Sequence, residues 1–134
     1  MRLLTVSLLL AVLPATAEPI LIGHAGLPAL DKTKVQRIYT GRIVELAGVR
    51  LTPVDLPPGN PARTDFIGKV LDQDEDKYTA YWTVRRYVGK GAPPRECASP
   101  DEVIEFVTET TGAIGYIDET DVRPGINVLL RPPR

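Results

Sequence analysis

The sequence predicts a single α/β domain whose helices pack on both faces of one sheet. Short apolar, β-favouring runs alternate with stretches of helical spacing from about residue 20 to residue 130. Capping residues at Asp31, Asn60 and Ser99 mark where helices begin, and glycines mark where they end. There is no internal repeat and no long linker, so the 134 residues have room for one domain.

The N-terminus reads differently. Arg2 precedes an apolar run over residues 3–13, followed by Pro14 and the small residues Ala15-Thr16-Ala17. A basic start, a short apolar run and a small-residue site form the pattern of a secretory signal peptide. The run is too short to anchor the chain comfortably in a bilayer. Cleavage after Ala17 is expected, dividing the chain into a signal peptide (1–17) and an exported domain (18–134) that is not inserted in a membrane. A buried N-terminal helix is the competing reading, and the Ala-x-Ala followed directly by Glu18-Pro19 favours cleavage.

Taken in order, Ile20-Leu21-Ile22 reads as a buried strand that empties into a loop at His24-Ala25-Gly26. Asp31 caps a helix carrying Val35, Ile38 and Tyr39, which Gly41 stops. Residues 43–46 and 49–54 form two extended segments around Ala47-Gly48, and Pro53 pushes the second towards a sheet edge or its own end. Asn60 and Pro61 open a helix with Phe66, Ile67, Val70 and Leu71 on its buried side. Asp74 starts another over about 75–88, where Tyr78, Tyr81, Trp82 and Arg85 fall three and four apart. Ser99-Pro100-Asp101-Glu102 is a capping box with proline in the first turn, and Val103, Ile104, Phe106 and Val107 follow as the apolar face. Strands at 113–117 and 126–130 complete the domain.

Composition excludes several classes. Without Arg2, 15 basic residues face 17 acidic ones with the signs mixed along the chain. That argues against a nucleic-acid surface or a membrane-coating helix. One histidine leaves no His-rich metal site and no second base for a Ser-His-Asp arrangement, so no enzyme, metal or cofactor is expected. Cys97 has no partner cysteine, and its neighbours give no redox or metal spacing. The aromatic cluster Tyr78, Tyr81, Trp82 and Tyr87 lies near Arg85, Arg86 and Lys90. Its helical spacing favours core packing with arginines reaching outward, while exposure would make it a docking surface.

The strongest candidate site is the loop from Asp55 to Asp65, which runs into a helix N-terminus where backbone N–H groups and the helix dipole favour an anion. Gly59, Asn60, Ala62, Arg63 and Thr64 are the expected ligand-binding residues, with Arg63 adding a charged donor. Pro61 removes one donor. The plainer alternative is a well-capped helix with Arg63 paired to Asp65 or solvated. His24, where the first strand empties, is a further candidate contact, because ligands of open α/β sheets bind beyond strand carboxyl ends. A surface histidine without a role is the alternative there.

At Ile38-Tyr39-Thr40-Gly41, Thr52-Pro53-Val54, Trp82, Gly89-Lys90-Gly91 and Gly112-Ala113-Ile114-Gly115-Tyr116, the chain resembles the phosphate ABC transporter substrate-binding family. The resemblance implies a type II periplasmic-binding-protein fold of single-lobe size and a periplasmic location. It also implies a small, phosphate-like anion as ligand, and an ABC permease or membrane sensor complex as partner. In full-length members a valine is followed two residues on by an arginine, then by a Ser-Gly-Thr loop, then by a phenylalanine twelve residues after the valine. Val54 and Phe66 keep that spacing, whereas Leu56 stands at the arginine position and Asn60-Pro61-Ala62 at the loop. Full-length members close two lobes over the ligand, and this chain has the size of one. A periplasmic interaction module that uses the same fold without a high-affinity ligand is the alternative the resemblance leaves open.

Overall fold

A computed structural model describes residues 2–9 and 18–133. The expected cleavage residues Ala15, Thr16 and Ala17 lie outside the described residues. Residues 2–9 adopt neither helix nor strand, and Leu3, Leu4 and Leu9 are exposed. Among the described residues, every core residue falls between Ile20 and Leu129.

The elements are β1 (Pro19–Gly23), α1 (Lys32–Tyr39), β2 (Glu45–Leu46), β3 (Val49–Arg50), β4 (Thr52–Asp55), α2 (Pro61–Lys69), α3 (Glu75–Tyr87), β5 (Arg95–Glu96), α4 (Pro100–Glu109), β6 (Ala113–Asp118) and β7 (Asn127–Leu130). The expected caps form: Asp31 accepts from the Lys34 amide at 2.8 Å, Asn60 from Ala62 at 2.9 Å and Ser99 from Glu102 at 3.2 Å. The Glu102 carboxylate returns to the amide of Ala98, closing the box one residue before the cap.

Five strands make one mixed sheet in the order β5-β4-β6-β1-β7. Strand β4 runs parallel to both β5 and β6, and β1 runs antiparallel to both β6 and β7. Successive side chains of β6 point to opposite faces, as any strand requires. Tyr116 stacks on Phe66 of α2 with ring centroids 4.0 Å apart. On the other face a Cβ at Gly115 would meet Val103 of α4 at 2.6 Å, so only glycine lets that helix lie so close. Helices therefore cover both faces.

The two extended segments divide differently from expectation. Strands β2 and β3 form a small separate hairpin whose turn, Ala47-Gly48, has positive φ at both residues, the geometry that suits a two-residue hairpin loop. Strand β4 then joins the main sheet, and it is an inner strand rather than an edge. Pro53 is tolerated there because the Thr52 N–H points to the Gly112 carbonyl just before β6, so Pro53, which has none, faces the other side. On that side β5 pairs only with Val54 and Asp55.

Candidate functional site

Asp55 ends β4, and the chain turns through Gly59 (φ 90°) into α2. The first turn of α2 is largely self-satisfied. The Asn60 side chain takes the Ala62 amide, the Asn60 carbonyl takes the Thr64 amide at 3.1 Å, and Pro61 has no N–H to offer. Ala62 is buried, while Thr64 is exposed with its hydroxyl 3.4 Å from the Asn60 carbonyl.

Arg63 turns inward and is only 5% exposed. Its Nε donates to both carboxylate oxygens of Glu75 at 3.1 Å, and its Nη2 lies 2.9 Å from Glu75 Oε1. Its Nη1 donates to the Leu56 carbonyl at 3.0 Å and stands 3.8 Å from Asp55 Oδ2 and 3.6 Å from Glu96 Oε1. The guanidinium also lies over the Tyr78 ring, 5.4 Å from its centroid. Burial works against the charge, but the Glu75 hydrogen bond and the Asp55 carboxylate outweigh it and raise the Arg63 pKa above its ordinary value.

At the centre is Asp55, 2% exposed, whose oxygens accept the Tyr78 hydroxyl at 2.7 Å and the Tyr116 hydroxyl at 2.9 Å. Tyr116 in turn accepts the Leu56 amide at 3.0 Å. Four elements thus converge on one carboxylate: β4, α2, α3 and β6. Burial pushes the Asp55 pKa up to about 6, against the opposing pull of the Tyr78 hydrogen bond and the Arg63 charge. Burial and then the Asp55 charge push both Tyr78 and Tyr116 well above the usual phenol range, so both remain donors.

This geometry sets the sign of a pH effect. A carboxylate whose pKa is raised by folding contributes stability that is fully present below its unfolded pKa and is lost as pH rises through about 6. Lowering pH from about 7.5 to about 4.5 is expected to recover about 2 kcal/mol at this site, because each tenfold difference in proton affinity between the folded and unfolded chain is worth about 1.4 kcal/mol. Urea unfolding of the wild type and Asp55→Asn across that range checks it. The variant should lose this gain, and equal pH profiles would mean that Asp55 is not the responsible group.

Beside the cluster, a cavity of about 290 Å³ is lined by Asp55, Arg63, Tyr78, Trp82, Arg86 and Glu96, among others. With Asp55, Glu75 and Glu96 around the buried Arg63, the cluster is poorer in positive charge than a phosphate pocket requires. His24 is not part of it. Strand β1 runs against β6 whereas β4 runs with it, so their carboxyl ends lie at opposite ends of the sheet. The His24 amide accordingly bonds to the Ala113 carbonyl, at the start of β6, and its Nδ1 lies 3.0 Å from the Val107 carbonyl. Gly59, Asn60, Ala62, Arg63 and Thr64 lie along one stretch of chain interrupted only by Pro61, and the structure does not bring His24 to them.

Sequence reasoning missed Asp55, Glu75, Tyr78 and Tyr116 as one unit. Tyr78 and Tyr116 reach Asp55 from 23 and 61 residues away, where no local pattern links them. One signal was present: a carboxylate set between Val54 and Leu56 in a run destined for the core. Cys97 is buried beside this site, its amide bonded to the Asp55 carbonyl at 2.8 Å, and burial pushes its thiol pKa up, consistent with an inert cysteine.

No protein-family model matches the chain, and no curated protein matches it. Among solved structures it is similar to an ABC-type phosphate transport receptor from Vibrio cholerae, with a TM-score of 0.66 and 13% identity, over 87% of this chain and 48% of that one. It is also similar to a protein from Clostridium perfringens assigned as a phosphate ABC transporter substrate-binding protein and solved with bound phosphate. There the TM-score is 0.66 and the identity 19%, over 84% of this chain and 44% of that one. At such identities the likeness is one of fold: a single mixed α/β domain matching one lobe of a type II periplasmic binding protein. The chain spans about half the length of the solved proteins it matches.

Proposed function

We propose that this chain is an exported, periplasmic, non-enzymatic module of the solute-binding fold that works by contacting other proteins of an envelope complex, such as a permease or a membrane sensor, without capturing a small anion. The observation that carries this reading is the state of Arg63. A receptor arginine must offer donors to its ligand, and this one is buried and shared among Glu75, Asp55, Glu96 and the Leu56 carbonyl. Freeing it would leave two buried or half-buried carboxylates without their counter-charge.

Phosphate-like recognition linked to ABC transport is the second reading. It is favoured by the bound phosphate of the similar Clostridium perfringens protein and by the helix N-terminus at Asn60. Isothermal titration of the chain from Glu18 with inorganic phosphate and with sulfate separates the two. No saturable heat up to millimolar concentration is the expected result. Saturable binding that Thr64→Asp abolishes would restore the receptor reading, since this exposed first-turn change repels an anion and leaves the Arg63 cluster intact.

A further inference from the structure

Residues 50–53, at the exit of the β2–β3 hairpin, and residues 90–95, which lead into β5, line an open groove of about 480 Å³. Its floor is apolar. Ile43, Leu51, Pro53 and Trp82 line it, and Val44 stands in it 55% exposed. The indole is a fixed part of that floor: it donates to the Tyr39 carbonyl at 3.2 Å, and a Cβ at Gly41 would meet its ring at 3.0 Å.

The charges around this floor are of one sign. Arg50, Lys90 and Arg95 line the groove, and no carboxylate does. The chain as a whole has 16 basic and 17 acidic residues, so three cations without an acid are a local excess. The cavity beside Asp55, by contrast, sets Arg63 and Arg86 among Asp55 and Glu96. Arg95 is already engaged, 3.8 Å from Glu102 and with its guanidinium 5.0 Å from the centroid of the Phe106 ring. Arg50 and Lys90 are exposed, and neither side chain has a hydrogen bond or ion pair among the described residues. Glu45 lies opposite Arg50 across the hairpin and still forms no ion pair with it.

An apolar floor rimmed by unpaired cations dictates what an occupant must carry. An inorganic anion would pair with a cation and leave the floor uncovered. A fatty acid would cover the floor but brings one charge, at one end, while the free cations come from two separate segments of chain. An extended peptide with carboxylates on either side of an apolar side chain meets both requirements. Resting on the reading of this chain as a contact module, we propose that the groove takes an acidic segment of a partner protein. Its apolar side chain lies on the floor formed by Val44 and Trp82, and its carboxylates meet Arg50 and Lys90.

Selection of a random heptapeptide library on the immobilised chain tests this without knowledge of the partner. Enriched peptides should carry Asp or Glu on both sides of an apolar residue. Titrated through the fluorescence of Trp82, the one tryptophan of the chain, they should bind with dissociation constants of roughly tens of micromolar and more weakly as salt is raised. Combining Arg50→Glu with Lys90→Glu should weaken them at least about tenfold and leave the urea midpoint unchanged, because neither side chain has a partner to lose. No enrichment, enrichment without an acidic bias, or acidic peptides that bind the double variant as well as the wild type would overturn the proposal. Vesicles of phosphatidylglycerol serve as the comparison: if they bind through the same two cations and no peptide is enriched, the groove belongs to a lipid surface instead. Phosphate titration reads the α2 N-terminus and the peptide selection reads Arg50 and Lys90, so failure of one is distinguishable from failure of the other.

Discussion

Replacing Arg63 with alanine is expected to cost the fold about 3–5 kcal/mol, the usual loss when one member of a buried ion cluster is removed and the others are left behind. The cost lies in what remains. Asp55, nearly inaccessible to water, would keep its two tyrosine hydroxyls but lose the guanidinium beside it, and Leu56 would keep a buried carbonyl with no donor. Glu75 contributes less, because it is more than a third exposed and water would replace part of what it loses. Arg63→Lys should recover only part of the loss, since an ammonium cannot span Glu75 and the Leu56 carbonyl as the planar fork does. Urea unfolding monitored by tryptophan fluorescence would measure it through Trp82. A loss under about 1 kcal/mol would mean that the guanidinium is held mainly by its exposed partner and would weaken the case that it is unavailable to a ligand.

Gly112→Ala should be comparably damaging for a different reason. The backbone there has φ of 79°, and an added Cβ would sit 2.0 Å from the carbonyl oxygen of Arg50. That obstacle is backbone, with no flexible side-chain end to swing aside. Gly112 also accepts the Thr52 amide at 2.9 Å, the contact that sets β4 against β6. Relief of the clash must therefore displace either the hairpin exit or the register of the central parallel pair. A penalty of about 3 kcal/mol or more is expected, combining left-handed strain with the overlap. Thermal unfolding would register it as a fall in midpoint of about 10 °C or more for a domain of this size. A shift of only one or two degrees would show that the β2–β3 hairpin moves aside at little cost, and that Gly112 is not a fixed joint.

These two residues also show what was legible in the sequence. The helices at 32, 61, 75 and 100 were readable because their starts are written in adjacent residues: an aspartate, an asparagine followed by proline, a second aspartate, and the Ser99 box. Strand β5 was not readable. Its two residues follow Pro93-Pro94 and join the sheet by pairing with Val54 and Asp55, some forty residues earlier. The inward turn of Arg63 was equally hidden, because its main partner lies twelve residues on, across the turn between α2 and α3. His24 was correctly expected where the first strand empties, yet which end of the sheet that is depends on the direction of β1 against β6. Local pattern carries no information about that choice.

The position of β1 has a kinetic consequence. It lies between β6 and β7, so Pro19 must find Asp118 and Leu21 must find Leu130 before either of its edges is satisfied. Pairings that close loops of about a hundred residues form late, because the ordering entropy is lost before the contact repays it. Residues 19–23 therefore stay an unpaired apolar ribbon until β6 and β7 are both present to flank them. Assembly is then expected to come as one late step, not to grow from the N-terminal end.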